Sequence, residues 1–366
     1  MKVSNRLRFT RAPTATSSVP PPSGLRQSRD MERLVAPGVG DGSVAPISAS
    51  LSWLRMPLSG PLSFINLWVI DDGDAWTLID CGLSDRDTRS AWQAALANPL
   101  ADKPVGRILV THGHADHLGA AGWLARETGA PLFIARGEFA ALQNALAGDD
   151  LPARTFYTAA GLDANAIDAW VTRIRDQLDY YRPLPDAGAP LQADETIRIG
   201  GREWRMIGCS GHSPEHIGFW SPDDRILVAG DQVLPRFTAN ISAWPGPPDY
   251  NPLAHWLDGL GALESTVPDD VLILPSHGDP FRGLHARIAE MRAGHHAMLA
   301  RIATALDRPR RIVDLLDAAF GKKIGPHRIG GAIGEVAACL QWLEAQGRAM
   351  RDGDEGGVHW WRLSGP

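Results

Sequence analysis

Within the stretch "THGHADHLG", residues 111–119, the side chains of His112, His114, Asp116 and His117 fall inside one short turn of sequence. Imidazoles and a carboxylate this dense have no structural use on an ordinary surface, and in a core they would leave several polar groups to satisfy. Neutral imidazole nitrogens bind zinc or iron and a carboxylate offsets the cation's charge, so the spacing points to metal. A single cluster leaves much of two coordination spheres unfilled. Three later stretches offer more ligands: "GHSPEH" brings His212, "VAGDQV" brings Asp231 and "LPSHGDP" brings His277, each beside small or turn-forming residues that admit close approach. Taken alone, His212 or His277 reads as a hydrogen-bonded structural histidine and Asp231 as a turn or N-cap residue. Beside the cluster they read as ligands.

The elements that must carry these groups are those of an α/β protein. "RILVTH" is a buried strand, and the cluster sits at its end, where the chain turns into the helical "HLGAAGWLARETG". Strand ends commonly carry ligands and catalytic groups in such folds. "FINLWVI" and "WTLID" form a hairpin across "DDGD", residues 85–97 form a helix and "PLFIA" a further strand. Residues 137–182 are mostly helical, "TIRIGGREWRMIGCS" and "IGFWSPDDRILVAGD" alternate as antiparallel strands, "DVLILPSH" is the last clear strand, and residues 285–306 form a long helix. His295 and His296 on that helix read as a solvated face. Beyond Pro309, "RRIVDLLDAAF", "IGGAIGEVAACLQWLEAQG" and "RAMRDGDEGGVHWWRL" follow the helix, helix, hairpin order of a winged-helix unit. Its acidic tip, Asp352, Asp354 and Glu355, favours a structural or substrate-covering role over DNA binding.

The expected organisation is a disordered segment over 1–48, a metal-hydrolase domain over 49–308 and a small winged-helix-like domain over 309–366. The first segment contains "TRAPTATSSVPPPSG", without an apolar period or a secretory core, and Met31 is an alternative start. The chain has 366 residues, 44% of them hydrophobic, enough for a large core. A formal charge of -6 gives no general attraction to phosphate backbones, so a small-molecule substrate is expected rather than nucleic acid. Three scattered cysteines argue against a disulfide framework and for a reducing, cytoplasmic location. No run approaches the roughly 20 apolar residues of a membrane span. A homodimer is the one protein assembly left open.

The motif H-x-H-x-D-H at His112, His114, Asp116 and His117 is preceded by "LIDCG" around Asp80 and followed in order by "GHSPEH", "AGDQV" and "LPSHG". Over about residues 50–285 this series resembles the metallo-β-lactamase fold superfamily. "NLWVI", "GHSPEHIGF", "GDQVLP", "NISAWP" and "PFRGLHARI" are similar to a bacterial group of hydrolases related to glyoxalase II, with a winged-helix-like C-terminal extension. The resemblance implies an αββα sandwich with two metals at one edge, two Zn2+ first, iron or manganese otherwise. It implies that His112, His114 and His212 hold one metal, Asp116, His117 and His277 the other, and that Asp231 bridges them. A shared water, acidified by both cations, would be the nucleophile on a thioester or another activated acyl group such as a lactone, with Asp116 holding it and passing its proton on.

Asp80 would orient a ligand from behind or shape the turn at Gly82. His216 would orient His212, touch substrate or pack within a strand, and Glu215 stands where many relatives carry glycine. Arg236 and Arg282 are candidate anion-binding groups and Trp244 a candidate pocket wall, with plain surface exposure as the alternative. Three rival functions stand beside the hydrolase: a mononuclear iron persulfide dioxygenase, a nuclease or phosphodiesterase of the same fold, and a non-enzymatic winged-helix regulator that senses a ligand. Iron content with oxygen uptake, charge complementarity to polynucleotides, and salt-dependent DNA binding separate them.

Overall fold

The computed structural model describes residues 34–59, 62–184, 189–244 and 250–365. The first sheet runs in chain order through β1 (Val44–Pro46), β2 (Leu51–Pro57), β3 (Phe64–Asp71), β4 (Trp76–Ile79), β5 (Val105–Leu109) and β6 (Leu132–Phe133). It is antiparallel up to β4, and β4, β5 and β6 are parallel. The second sheet contains β7 (Thr196–Ile199), β8 (Arg202–Gly208), β9 (Ile217–Ser221), β10 (Ile226–Gly230) and β11 (Leu272–Pro275). It is antiparallel from β7 to β10, and β11 runs parallel to β10.

Successive strand residues point to opposite faces, and in β3, β9 and β10 both faces are dry. Trp68, Ile70, Ile79 and Leu109 of the first sheet meet Trp204, Phe219, Val228 and Leu274 of the second in the layer between them. Their neighbours Leu67, Val69, Leu78 and Ile108 face outward onto helices, as do Trp220, Leu227 and Ile273 on the other side. Burial on both faces explains why "FINLWVI" and "ILVAG" read as apolar runs rather than as alternating ones. The result is the expected αββα sandwich.

Helices α1 (Arg86–Ala97), α2 (Ala115–Leu118), α3 (Ala121–Thr128), α4 (Arg136–Ala147), α5 (Leu151–Ala159) and α6 (Ala164–Leu178) precede the second sheet. Asp85 and Asp163 cap α1 and α6 by accepting the backbone N–H groups of Thr88 and Ala166. Helices α7 (Pro252–Thr266) and α8 (Leu284–Ala305) flank β11, and α7 begins with an Asn251 cap followed by proline. Last come α9 (Ile312–Phe320), α10 (Ile329–Ala345) and the hairpin β12 (Ala349–Glu355) with β13 (Val358–Leu363).

Two expectations need correction, and the small C-terminal unit shares its core with the rest. Residues 34–48 do not continue the disordered segment 1–48: β1 pairs with β2, and Leu34 packs on the layer between the sheets. The rest of that segment, 1–33, lies outside the described residues. The expected boundary at 308/309 falls between α8 and α9, yet the core does not divide there. Leu315, Val336, Leu340 and Trp361 belong to the same buried cluster as Trp220, Trp256 and Ile273, because α10 presents an almost wholly buried surface to α7 and α8. His295 is not on a solvated face: its ring meets Trp256 edge-on at 6.3 Å, whereas His296 is exposed. All three cysteines are buried and free. Among the described residues no helix is long and apolar enough to cross a membrane.

Candidate metal centre

Strand direction gathers the site. β4 and β5 are parallel, so Asp80 and the 111–117 loop leave the first sheet at the same edge. β8, β10 and β11 likewise run one way, and their ends deliver His212, Asp231 and His277 to the facing edge of the second sheet. Two backbone bonds tie these edges together, from Ile217 N–H to the Thr111 carbonyl and from Asn66 N–H to the Ser276 carbonyl, both at 2.8 Å.

Asp80 is buried and takes φ 64, the left-handed conformation that a side chain adopts at some cost. In return its carboxylate accepts the Thr111 N–H at 2.8 Å and the His117 Nδ1–H at 2.8 Å. That bond fixes the ring's orientation and aims His117 Nε2 inward. His212 and His277 are held the same way, their Nδ1–H groups donating to the carbonyls of Asn240 at 2.7 Å and Phe64 at 3.2 Å. His216 plays a different part from those expected of it. Its Nε2 accepts the Asp231 N–H at 3.1 Å, so it braces the turn that presents Asp231. Gly230 in that turn has φ +55, and a Cβ there would stand 2.3 Å from His216 Nε2.

The inward atoms face one another. Asp231 Oδ2 lies 3.3 Å from His212 Nε2, while its Oδ1 lies 3.5 Å from His277 Nε2 and 3.6 Å from His117 Nε2. Asp116 Oδ2 lies 3.4 Å from His277 Nε2. Donor atoms on neighbouring tetrahedral positions, each about 2.1 Å from a metal, stand about 3.4 Å apart. The separations match such edges and exceed ordinary hydrogen bonds. His117 Nε2, His212 Nε2, His277 Nε2 and Asp231 Oδ1 are all buried with no hydrogen-bond partner among the described residues, which is costly unless cations supply the missing contacts. Three groups of donors close enough to share an ion emerge: His112, His114 and His212; His112, His117 and Asp231; Asp116, His117 and His277.

Electrostatics agrees. Burial, then the neighbouring imidazoles, lowers His112 well below the usual histidine range, and burial with His212 beside it takes His114 down to about 3. Both are therefore neutral, the form that ligates. Burial also opposes a proton on His117, but Asp80, Asp116 and Asp231 outweigh it and hold that pKa up at about 10. A cation placed among these carboxylates would displace the proton. Asp231 is kept ionised against its burial by His277 and His117.

The structure thus brings together His112, His114, Asp116, His117, His212, Asp231 and His277, with Asp80 and His216 supporting them from behind. The substrate candidates divide. Arg236 is exposed beside Phe237, whose ring lies 6.5 Å from that of His277. Trp244 is 45% exposed, shortly after the Asn240 that holds His212. Arg282 is a correction: it donates to the Asp270 carbonyl at the start of β11, whereas His277 follows the end of that strand, so it does not line the site. The Glu215 carboxylate accepts the Gly137 N–H at the start of α4.

Four supporting residues escaped sequence reasoning. Asn66 donates to the Pro275 and Gly278 carbonyls on either side of His277. Glu138 on α4 accepts the backbone N–H groups of Gly113 and Glu215. Asn240, which holds His212, donates its own side-chain amide to Glu335 on α10 at 2.6 Å. A lone Asn inside "FINLWVI" and a lone Glu inside "IGGAIGEVAACL" were signals; Glu138 and Asn240 gave none.

Comparison with known proteins supports this picture. The model of the metallo-beta-lactamase superfamily matches residues 60–278, and that of a metallo-beta-lactamase-like C-terminal domain matches residues 299–364. A beta-lactamase domain protein from Burkholderia ambifaria has a similar crystal structure, with TM-score 0.80, 33% identity and coverage of 92% of this chain and 100% of that one. The probable metallo-hydrolase YflN of Bacillus subtilis is 30% identical over 192 residues, 49% of this chain and 67% of its own length. The hydroxyacylglutathione hydrolase GloC of Haemophilus influenzae is 24% identical over 47% of this chain and 68% of its own. The fold, the His/Asp metal-binding cluster and the family match converge: this chain belongs to the metallo-beta-lactamase superfamily.

Proposed function

We propose that the protein is a dinuclear metal-dependent hydrolase of thioesters or comparably activated acyl compounds such as lactones. The observation that carries the reading is the set of buried, partnerless donors that face one another, with the two oxygens of Asp231 turned to different histidines. In it His112, His114 and His212 would hold one metal and Asp116, His117 and His277 the second, with Asp231 as a ligand available to both. Zinc suits this mixed imidazole and carboxylate set, and iron or manganese would be accepted by the same atoms. When bound, the metals supply Lewis acidity and a water acidified to act near neutral pH.

The chain's own residues do the rest. Asp116 has a side chain 24% exposed, against 1% for Asp80 and 3% for Asp231. It is the site carboxylate that solvent reaches, and so the one placed to orient water and to carry a proton to the leaving group. Asp80, the Asn240 carbonyl and the Phe64 carbonyl keep three imidazoles in one tautomer and orientation throughout. Phe237, beside the His277 ring, with Arg236 and Trp244 as the exposed residues near it in sequence, is where we place the substrate. A thioester has little resonance stabilisation and a good leaving group, so it needs no further acid. The chain's net negative charge disfavours polynucleotides, and the similarity to hydrolases of hydroxyacylglutathione points the same way.

The test is kcat/KM for a thioester, a lactone, a phosphodiester and a β-lactam on one metal-replete preparation. The first two should exceed the others by at least about tenfold, about 1.4 kcal/mol of barrier. A phosphodiester as best substrate would overturn the acyl assignment while leaving the metal site in place.

A further inference from the structure

The three-histidine site draws its ligands from both sheets: His112 and His114 from the loop after β5, His212 from the loop after β8. The gap between those loops must be set by something outside the ligands themselves. Glu138, buried on α4, touches both. Its Oε2 accepts the N–H of Gly113, the residue between His112 and His114, at 2.8 Å. Its Oε1 accepts the N–H of Glu215, in the His212 loop, at 2.7 Å. Glu215 answers by placing its own carboxylate on the Gly137 N–H at 2.6 Å, at the start of a helix whose cap residue, Ala135, has no side-chain acceptor. The Gly113 carbonyl, on the other side of the same residue, accepts from Tyr181 at 2.9 Å. A Cβ at position 113 would stand 2.9 Å from Glu138 Oε2, so glycine is what lets the carboxylate approach the loop.

We propose that Glu138 is a positioning residue which sets the spacing between the His112–His114 loop and the His212 loop, and thereby the affinity of the three-histidine site for a divalent cation. The inference rests on the two-metal reading given above. It concerns one metal and not the other, because His117 and His277 are held by Asp80 and the Phe64 carbonyl rather than by Glu138.

That selectivity makes the test. Zn2+ is titrated into the metal-free full-length chain against a chromophoric chelator, in the parent and in His277→Ala and His212→Ala backgrounds, which leave the three-histidine site and the other site respectively. Adding Glu138→Ala should weaken the remaining equivalent by at least about tenfold in the His277→Ala background and by less than about twofold in the His212→Ala background. Glu138→Gln keeps the shape and one acceptor but turns an N–H donor toward the other amide, and should weaken the same equivalent by about threefold; it decides the matter if the alanine variant does not fold. Unchanged affinity in the His277→Ala background, or equal weakening in both backgrounds as a general packing loss would give, would overturn the proposal. A parent chain that takes up fewer than two equivalents would overturn the two-metal reading first, and the inference with it.

Discussion

The two sides of the metal centre are built by opposite means. On the first sheet, four candidate ligands come from one loop, and two buried carboxylates brace it: Asp80 holds the backbone at Thr111 and the ring of His117, and Glu138 holds the backbone at Gly113. On the second sheet, His212, Asp231 and His277 come from three separate turns, and each is held by a neutral group: the Asn240 carbonyl, the His216 ring and the Phe64 carbonyl. Ligands crowded in one loop are braced by charge, whereas each dispersed ligand has a weaker, neutral brace of its own. Those weaker braces recruit distant chain, down to Glu335 on α10.

The contrast can be broken by substitution. The largest effect is expected at the residue where both sides meet: Asp231→Ala should lower kcat by at least about 10³-fold, the loss of several kcal/mol of stabilisation, with the fold retained by circular dichroism. Near-normal kcat in that variant would remove the bridged mechanism. Next comes the charged brace. Asp80→Asn leaves an acceptor for Thr111 but removes the charge behind His117, and should weaken one metal equivalent by about 10- to 100-fold in chelator competition.

The neutral side should yield less to any single change. Glu335→Ala unfastens Asn240 one step further from the metal and should weaken binding only about threefold. Glu335→Gln keeps the acceptor for Asn240 and serves a separate purpose. Burial, partly offset by Arg328, raises the Glu335 carboxyl from 4.5 to about 8. Its contribution to stability is therefore full below about pH 4.5 and lost as pH rises through about 8. The glutamine variant escapes that loss, so it should melt higher than the parent at about pH 8, with the gap closing by about pH 5. A constant gap across that range would show that Glu335 is not the group titrating. The smallest effect is expected at Arg282→Ala, which should leave KM within about twofold, since its guanidinium is engaged at the far end of β11.

The same contrast explains what could be read from the sequence. The histidine loop was legible because its chemistry is contiguous, and the strands were legible because two-sided burial makes apolar runs. The dispersed ligands became legible only in the company of that loop. Asp80 apart, the braces were not: Asn240 reaches its two partners, His212 and Glu335, across separations of 28 and 95 residues, and Glu138 reaches Gly113 and Glu215 across 25 and 77. A single polar residue carries no periodicity, and its role exists only once two loops have met. Arg282 was misplaced for a related reason: proximity in sequence to His277 does not survive the reversal that pairs Phe281 with Ile273.

Elemental analysis of the purified full-length chain tests the central claim most directly. Donors sufficient for two cations, with Asp231 turned to both, predict close to two transition-metal equivalents per chain, zinc foremost. A content of one iron and no zinc would contradict the dinuclear hydrolase and move the assignment to the mononuclear dioxygenase.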